Sequence, residues 1–123
     1  MSVVNVKVAN LRKSKPRREN LREWMKDEEN VYIGRAGIVF IDNVRFPKES
    51  SIWANPYKVG DKKGQYEREE SLKLYESYIR EKIKGSESMK EELLKLKGKN
   101  LGCWCKPEGC HGDVLIKILE EYK

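Results

Sequence analysis

The chain has 123 residues, with 26 Lys+Arg against 20 Asp+Glu, a formal net charge of +6, and nearly equal hydrophobic (38%) and charged (37%) shares. That length suits one domain, 1–123, with a single modest core, and no apolar run approaches the roughly 20 residues that a membrane-spanning helix needs. Three cysteines and an N-terminus without secretory character argue against a disulfide scaffold, so membrane spans, disulfide miniproteins and coiled-coil rods are excluded and a cytoplasmic location is expected.

In chain order, Val4, Val6 and Val8 alternate with Asn5 and Lys7, which predicts a strand. Residues 1–18 then hold Lys7, Arg12, Lys13, Lys15, Arg17 and Arg18 and no acid, six charges that equal the whole net excess; residues 19–123 hold 20 basic and 20 acidic residues. Arg12, Lys13, Lys15, Arg17 and Arg18 are candidate nucleic-acid contacts, because Lys and Arg release counterions on meeting a polyanion. The plainer reading is a solvated loop.

Glu19 to Glu28 reads as a short helix with Leu21, Trp24 and Met25 on one side. Val31–Ile33 reads as a strand ending at Gly34-Arg35. Ile38–Ile41 is another, and the turn-prone pair Asp42-Asn43 returns it through Val44–Phe46 as a hairpin. Residues 47–65 form a long loop with Pro47, Pro56, Gly60 and Gly64. Loops of that length inside a compact domain are usually functional.

Leu72, Tyr75, Ile79 and Ile83 fall at helical spacing, with acids at the start and Gly85 at the end. Ser88 to Glu91 has the capping-box pattern and predicts a helix with Leu93, Leu94 and Leu96 inward, closed by Gly98. Leu101 to Cys105 reads as a strand, and Asp113 to Tyr122 as a helix burying Val114, Leu115, Ile118, Leu119 and Tyr122. Strands separated by helices predict an α/β layered fold: a small, mostly parallel, Rossmann-like sheet flanked by helices.

All three cysteines and the single histidine lie within Cys103 to His111. On a strand, Cys103 and Cys105 share a face, and Cys110 and His111 arrive at the start of the last helix. Three readings stay open. Cys103, Cys105, Cys110 and His111 form a plausible zinc set, with a three-cysteine iron–sulfur cluster as the second metal. A metal-free thiolate at Cys110, at a helix N-terminus and beside His111, is another. The third is that the cysteines pack as small buried hydrophobes.

Trp53-Ala54-Asn55-Pro56-Tyr57-Lys58 is a second constellation. A Trp and a Tyr beside an amide suit stacking on a base with hydrogen bonds to its edge; the alternative is a turn pinned by half-buried aromatics. Arg35 after Gly34 suits a phosphate or carboxylate.

These pieces, together with Arg68-Glu69-Glu70-Ser71 and Tyr75, Leu96-Lys97-Gly98-Lys99-Asn100-Leu101-Gly102-Cys103-Trp104-Cys105 and Cys110-His111-Gly112-Asp113, closely resemble the family called domain of unknown function 4326, over nearly the whole chain. The resemblance implies a compact α/β domain whose site lies where the Cys/His, Trp-x-Asn-Pro and Gly-Arg pieces meet, and a microbial or viral origin. Between Arg35 and Trp53 this chain departs from the family pattern, carrying Ile38-Val39-Phe40-Ile41 where a shorter, Ser-rich loop is expected.

The expected function is an enzyme acting on a nucleotide, nucleobase or nucleic acid through a metal or thiolate site. Cys110, His111, Asp113 and Asn55 are its candidate catalytic residues, and Arg35, Trp53, Asn55, Tyr57 and Lys58 its candidate ligand contacts. The alternative is a non-catalytic nucleic-acid-binding module with a structural zinc. The enzyme reading requires Arg35, Asn55, Cys110 and His111 to border one pocket.

Overall fold

The structure, a computed structural model, describes residues 2–104 and 110–122. Three parallel strands form the sheet: β1 (Ser2–Asn5), β2 (Asn30–Tyr32) and β5 (Asn100–Cys103), in the order β1-β5-β2. A separate antiparallel hairpin joins β3 (Val39–Ile41) to β4 (Val44–Phe46). The helices are α1 (Val8–Leu11), α2 (Leu21–Met25), α3 (Arg68–Lys84), α4 (Glu87–Leu94) and α5 (His111–Glu121). The α/β class and the parallel pairing of the two expected strands around 31–33 and 101–105 are therefore present.

The central strand β5 is registered against both neighbours, with Leu101 opposite Val3 and Val31, and Gly102 opposite Val4 and Tyr32. Successive strand residues point to opposite faces, so the sheet divides two buried clusters. Leu101, Cys103 and Ile33 pack with Tyr75, Ile79, Leu93, Leu115 and Ile118 from the long helices. Val6 and Tyr32 pack with Leu11, Leu21 and Trp24. Burial on both faces suits the apolar Leu101, Gly102 and Cys103 of the central strand β5.

Several boundaries differ from the sequence expectation, each for a local reason. The first strand stops at Asn5, not Val8, because the Asn5 side-chain oxygen accepts the Lys7 N–H (2.9 Å) and turns the chain into α1, where Val8 is exposed. The helix expected over 19–28 is only Leu21–Met25: Asn20 caps its start through the Glu23 N–H, and the Asn30 amide takes the Trp24 carbonyl (3.0 Å) just past its last turn. The cap of α4 is Ser86, which accepts the Met89 N–H, and Ser88 lies inside the helix; Leu93 and Leu96 are buried as expected but Leu94 is exposed. The final helix begins earlier than expected, at His111, with Cys110 as its cap. Asp42 and Asn43 adopt φ of 54° and 64°, the left-handed pair that a two-residue hairpin turn requires. On one face of that hairpin the Arg45 guanidinium sits 4.7 Å from the Phe40 ring centre.

Gly102 is a close-approach position. A Cβ there would lie 2.5 Å from the Trp24 ring and 2.8 Å from Val6 Cγ1. Gly102→Ala is therefore expected to lower stability by about 1–3 kcal/mol, the usual range for forcing an extra methyl into a packed core. Urea denaturation checks this, and an unchanged midpoint would show that Trp24 can yield.

Candidate functional site

The site is built at the carboxyl ends of β2 and β5. Because these strands are parallel, the chain leaves both at the same edge of the sheet, the place where ligands sit in open α/β sheets. Cys103 is the last residue of β5, and α5 begins at the same edge with Cys110 and His111. Gly112 lets this helix start lie directly on the sheet: a Cβ there would come within 2.9 Å of Val3 and 3.0 Å of Ile33.

Cys103, Cys110 and His111 are all buried. The Sγ atoms of Cys103 and Cys110 are 2.7 Å apart. His111 Nε2 lies 2.7 Å from the Ile33 carbonyl oxygen. A carbonyl only accepts, so Nε2 carries the proton, and in the neutral ring Nδ1 is left as the acceptor. Nδ1 faces Cys110 Sγ at 3.7 Å. The same sulfur accepts the Gly112 N–H (3.4 Å), and the Asp113 carboxylate accepts the Cys110 N–H (3.2 Å), which together make a capping box with cysteine in the cap position. Asp113, expected as a general base, is thus placed as the residue that fixes Cys110.

Cys105 lies outside the described residues. Two sulfurs on one tetrahedral zinc stand about 3.8 Å apart, given Zn–S bonds of about 2.3 Å; Cys103 and Cys110 are closer than that, whereas the Cys110–His111 spacing suits two ligands of one ion. Among the described residues no group of three His, Cys, Asp or Glu is arranged to hold a metal ion.

The Trp-x-Asn-Pro loop reaches the cluster through its backbone. The Tyr75 ring meets the His111 ring edge-on with centres 5.1 Å apart, and the Tyr75 hydroxyl donates to the Trp53 carbonyl (2.7 Å). The Arg35 guanidinium donates to the Asn55 carbonyl through Nε (3.0 Å) and Nη2 (2.8 Å). The Asn55 side chain turns inward: its amide donates to Ser71 Oγ (2.9 Å) and its oxygen accepts the Tyr57 N–H (2.9 Å), while Ser71 Oγ donates to the Tyr57 carbonyl. Trp53 is buried in the core, Tyr57 packs edge-on against Tyr66 and Tyr78, and Lys58 is exposed. The structure therefore ties Arg35 to Asn55 and, separately, His111 to Ile33 and Tyr75, with Asn55 and Trp53 as anchors of the loop. Arg35 is half-buried and has no carboxylate partner among the described residues.

Sequence reasoning passed over Ser71 and Tyr75 as site residues. Their i, i+4 spacing on α3, which puts both on one helix face, was the available signal. It also passed over the half-buried Trp104, whose indole N–H donates to the Tyr32 hydroxyl (2.8 Å); that hydroxyl in turn donates to the Arg35 carbonyl (2.8 Å), tying the two strand ends together. In the basic segment, Arg12 and Arg17 pair with Glu19 and Arg18 pairs with Asp27, while Lys13 and Lys15 form no ion pair among the described residues. The exposed pairs on Glu19 contribute little, whereas Arg18 is half-buried.

Residues 16–121 match the family model described as Domain of unknown function (DUF4326). The chain belongs to the DUF4326 family. It is also 38% identical over 69 residues to the "Uncharacterized 12.4 kDa protein in nrdA-td intergenic region" of Enterobacteria phage T4, a match that covers 56% of this chain and 60% of that protein. The chain thus spans less than two thirds of the length of this curated relative. No solved structure matches it. No helix among the described residues is long and apolar enough to cross a membrane. In this DUF4326 domain the 36–51 segment, where the chain departs from the pattern, contains the β3–β4 hairpin.

Burial pushes the Tyr75 hydroxyl well above its ordinary value of 10.0, with further contributions from Tyr78 and Cys110. A folded-state value raised above the unfolded one means that this contribution to stability is complete below about pH 10 and is lost as the pH rises beyond it. Denaturation at about pH 8 and about pH 11 should therefore show a loss of stability at the higher pH that Tyr75→Phe reduces. The same variant should cost about 1 kcal/mol near neutrality, for the lost bond to Trp53. Parallel losses in both proteins would remove Tyr75 as a cause.

Proposed function

We propose that the domain is a thiol-dependent enzyme acting on a nucleotide, nucleobase or nucleic acid, with Cys110 as nucleophile and His111 Nδ1 as its proton acceptor. In this reading the chain has a Rossmann-like layering, with the ligand at the carboxyl edge of β2 and β5. The observation that carries it is the division of labour on the His111 ring. Nε2–H is spent on the Ile33 carbonyl, which leaves the Nδ1 lone pair directed at a sulfur that caps an 11-residue helix. A base oriented by a third group beside a thiol is the arrangement that activates a nucleophile, and a helix N-terminus stabilises the thiolate. Asp113 and Gly112 hold the sulfur in place. Arg35, half-buried and without an acid partner among the described residues, supplies the contact for an anionic group of the substrate. Among the described residues its hold on Asn55 uses only Nε and Nη2.

The second reading is a binding module with a structural zinc on Cys103, Cys105, Cys110 and His111. It is supported by the Cys110–His111 spacing and by the carbonyl on the far side of the ring, which orients a ligating imidazole in the same way. The basic segment from Arg12 to Arg18 is then its polyanion contact.

Alkylation of reduced protein by a small iodoacetamide reagent, followed by mass spectrometry across pH, separates the two. His111→Gln is expected to move the onset of Cys110 modification to higher pH by about one unit or more, the size of one lost charge-stabilising partner. Coincident profiles would end the nucleophile reading, and stoichiometric zinc lost on Cys110→Ser would establish the structural one. For the substrate class, titration with the common ribonucleoside 5′-monophosphates should perturb the NMR signals of residues 33–35 and 110–112. Arg35→Ala should weaken that binding roughly tenfold or more, as expected when a charged hydrogen bond is removed. If none of these nucleotides binds at millimolar concentration, the substrate class is wrong.

A further inference from the structure

We propose that Cys103 and Cys110 are a redox couple: under oxidation they close into a disulfide that takes Cys110 out of chemistry, and under reduction they reopen. The inference rests on reading the cysteines as thiols and not as metal ligands, and it adds a covalent modification site to that reading.

The geometry is the starting point. The two sulfurs, 2.7 Å apart, need to approach by only about 0.7 Å to reach the S–S bond length of about 2.04 Å. Both are held by regular structure, Cys103 as the last residue of β5 and Cys110 as the cap of α5. Neither has to leave its element to meet the other. Cys110 is fully buried, so it meets a small disulfide when the site opens locally, and the polar partners of the pair lie on its side. Its sulfur accepts the Gly112 N–H and faces His111 Nδ1, so it is the sulfur better able to exist as thiolate and to attack first. Cys103, buried with Cys110 in the cluster that holds Leu101 and Leu115, is the resolving partner.

The oxidant is a small disulfide of the glutathione class. The Cys110 thiolate attacks one of its sulfurs, its S–S bond breaks, and one small thiolate leaves. Cys103 then attacks Cys110 Sγ in the mixed disulfide, the protein S–S bond forms, and the second small thiolate leaves. The protein loses two electrons and two protons; the small disulfide gains both and departs as two thiols. Excess small thiol or dithiothreitol reverses each step. A couple of this kind matches an intracellular protein, in which disulfides are transient and regulatory.

The test equilibrates full-length protein in buffers of oxidised and reduced glutathione, traps remaining thiols with an alkylating reagent, and maps linked peptides by mass spectrometry. The expected product is a monomer that has lost two hydrogens, with Cys103 joined to Cys110, fully reopened by dithiothreitol. Cys105→Ser should form the same bond. It leaves both partners intact, so failure of a Cys103→Ser variant to fold does not compromise the result. A bond that involves Cys105, an intermolecular dimer, or no bond in native protein when the urea-unfolded chain forms one would overturn the proposal. The result is independent of the nucleophile reading. If the bond does not form while Cys110 still alkylates in a His111-dependent way, the enzyme proposal stands and this one falls. If the bond forms but His111→Gln leaves the alkylation profile unchanged, this proposal stands and the assignment of His111 as base falls.

Discussion

The hydrogen bond between His111 Nε2 and the Ile33 carbonyl joins the start of α5 to the end of β2, and the site is organised around it. It places a polar ring inside a cluster otherwise made of Tyr75, Leu115, Val114 and their neighbours. A buried imidazole without that partner would cost about 1–3 kcal/mol. With it, the ring is fixed in one tautomer, its second nitrogen is aimed at Cys110, and its edge packs on Tyr75. Gly112 makes the contact possible by letting the first turn of the helix rest on Val3 and Ile33. The placement of Cys110 and His111 therefore depends on how closely a helix end can approach a sheet.

A second set of contacts fixes the long loop to this frame. Arg35 leaves β2 two residues after Ile33 and takes the Asn55 carbonyl in a two-pronged grip, while Tyr75 takes the Trp53 carbonyl. Asn55 and Ser71 complete the latch from inside. Among the described residues no buried side-chain nitrogen or oxygen is left unsatisfied. The residues that look most like a base-recognition motif in one dimension thus do architectural work.

The long helices contribute a different kind of order. Arg80 on α3 bridges Glu76 on its own helix and Glu121 on α5, and Lys117 reaches the same Glu76. The carboxyls of Glu76 and Glu121 are held below their usual range, first by the Arg80 hydrogen bond in each case. These groups are largely exposed, so their value is modest. They align the outer faces of two helices whose inner faces, with Tyr75, Ile79, Leu115 and Ile118, do most of the packing.

The sequence by itself determined the α/β class, the hairpin at Asp42-Asn43, the long helix from its Leu72, Tyr75, Ile79, Ile83 stripe, and the concentration of sulfur and imidazole at one chain segment. Those features are local: they follow from period, turn chemistry and residue type within a few positions. The parallel placement of β2 beside β5, the burial of the Asn55 side chain against Ser71, and the proton position on His111 were decided only by tertiary structure. Each depends on a partner far along the chain: Gly102 opposite Tyr32, Ser71 against Asn55, Ile33 against His111. The short helix starts were misread for a related reason. Asn20, Ser86 and Cys110 cap their helices through side-chain hydrogen bonds, and a sequence pattern offers several competing polar residues for each. Which of them is used is set by the direction in which packing sends the chain, and no local pattern contains that direction.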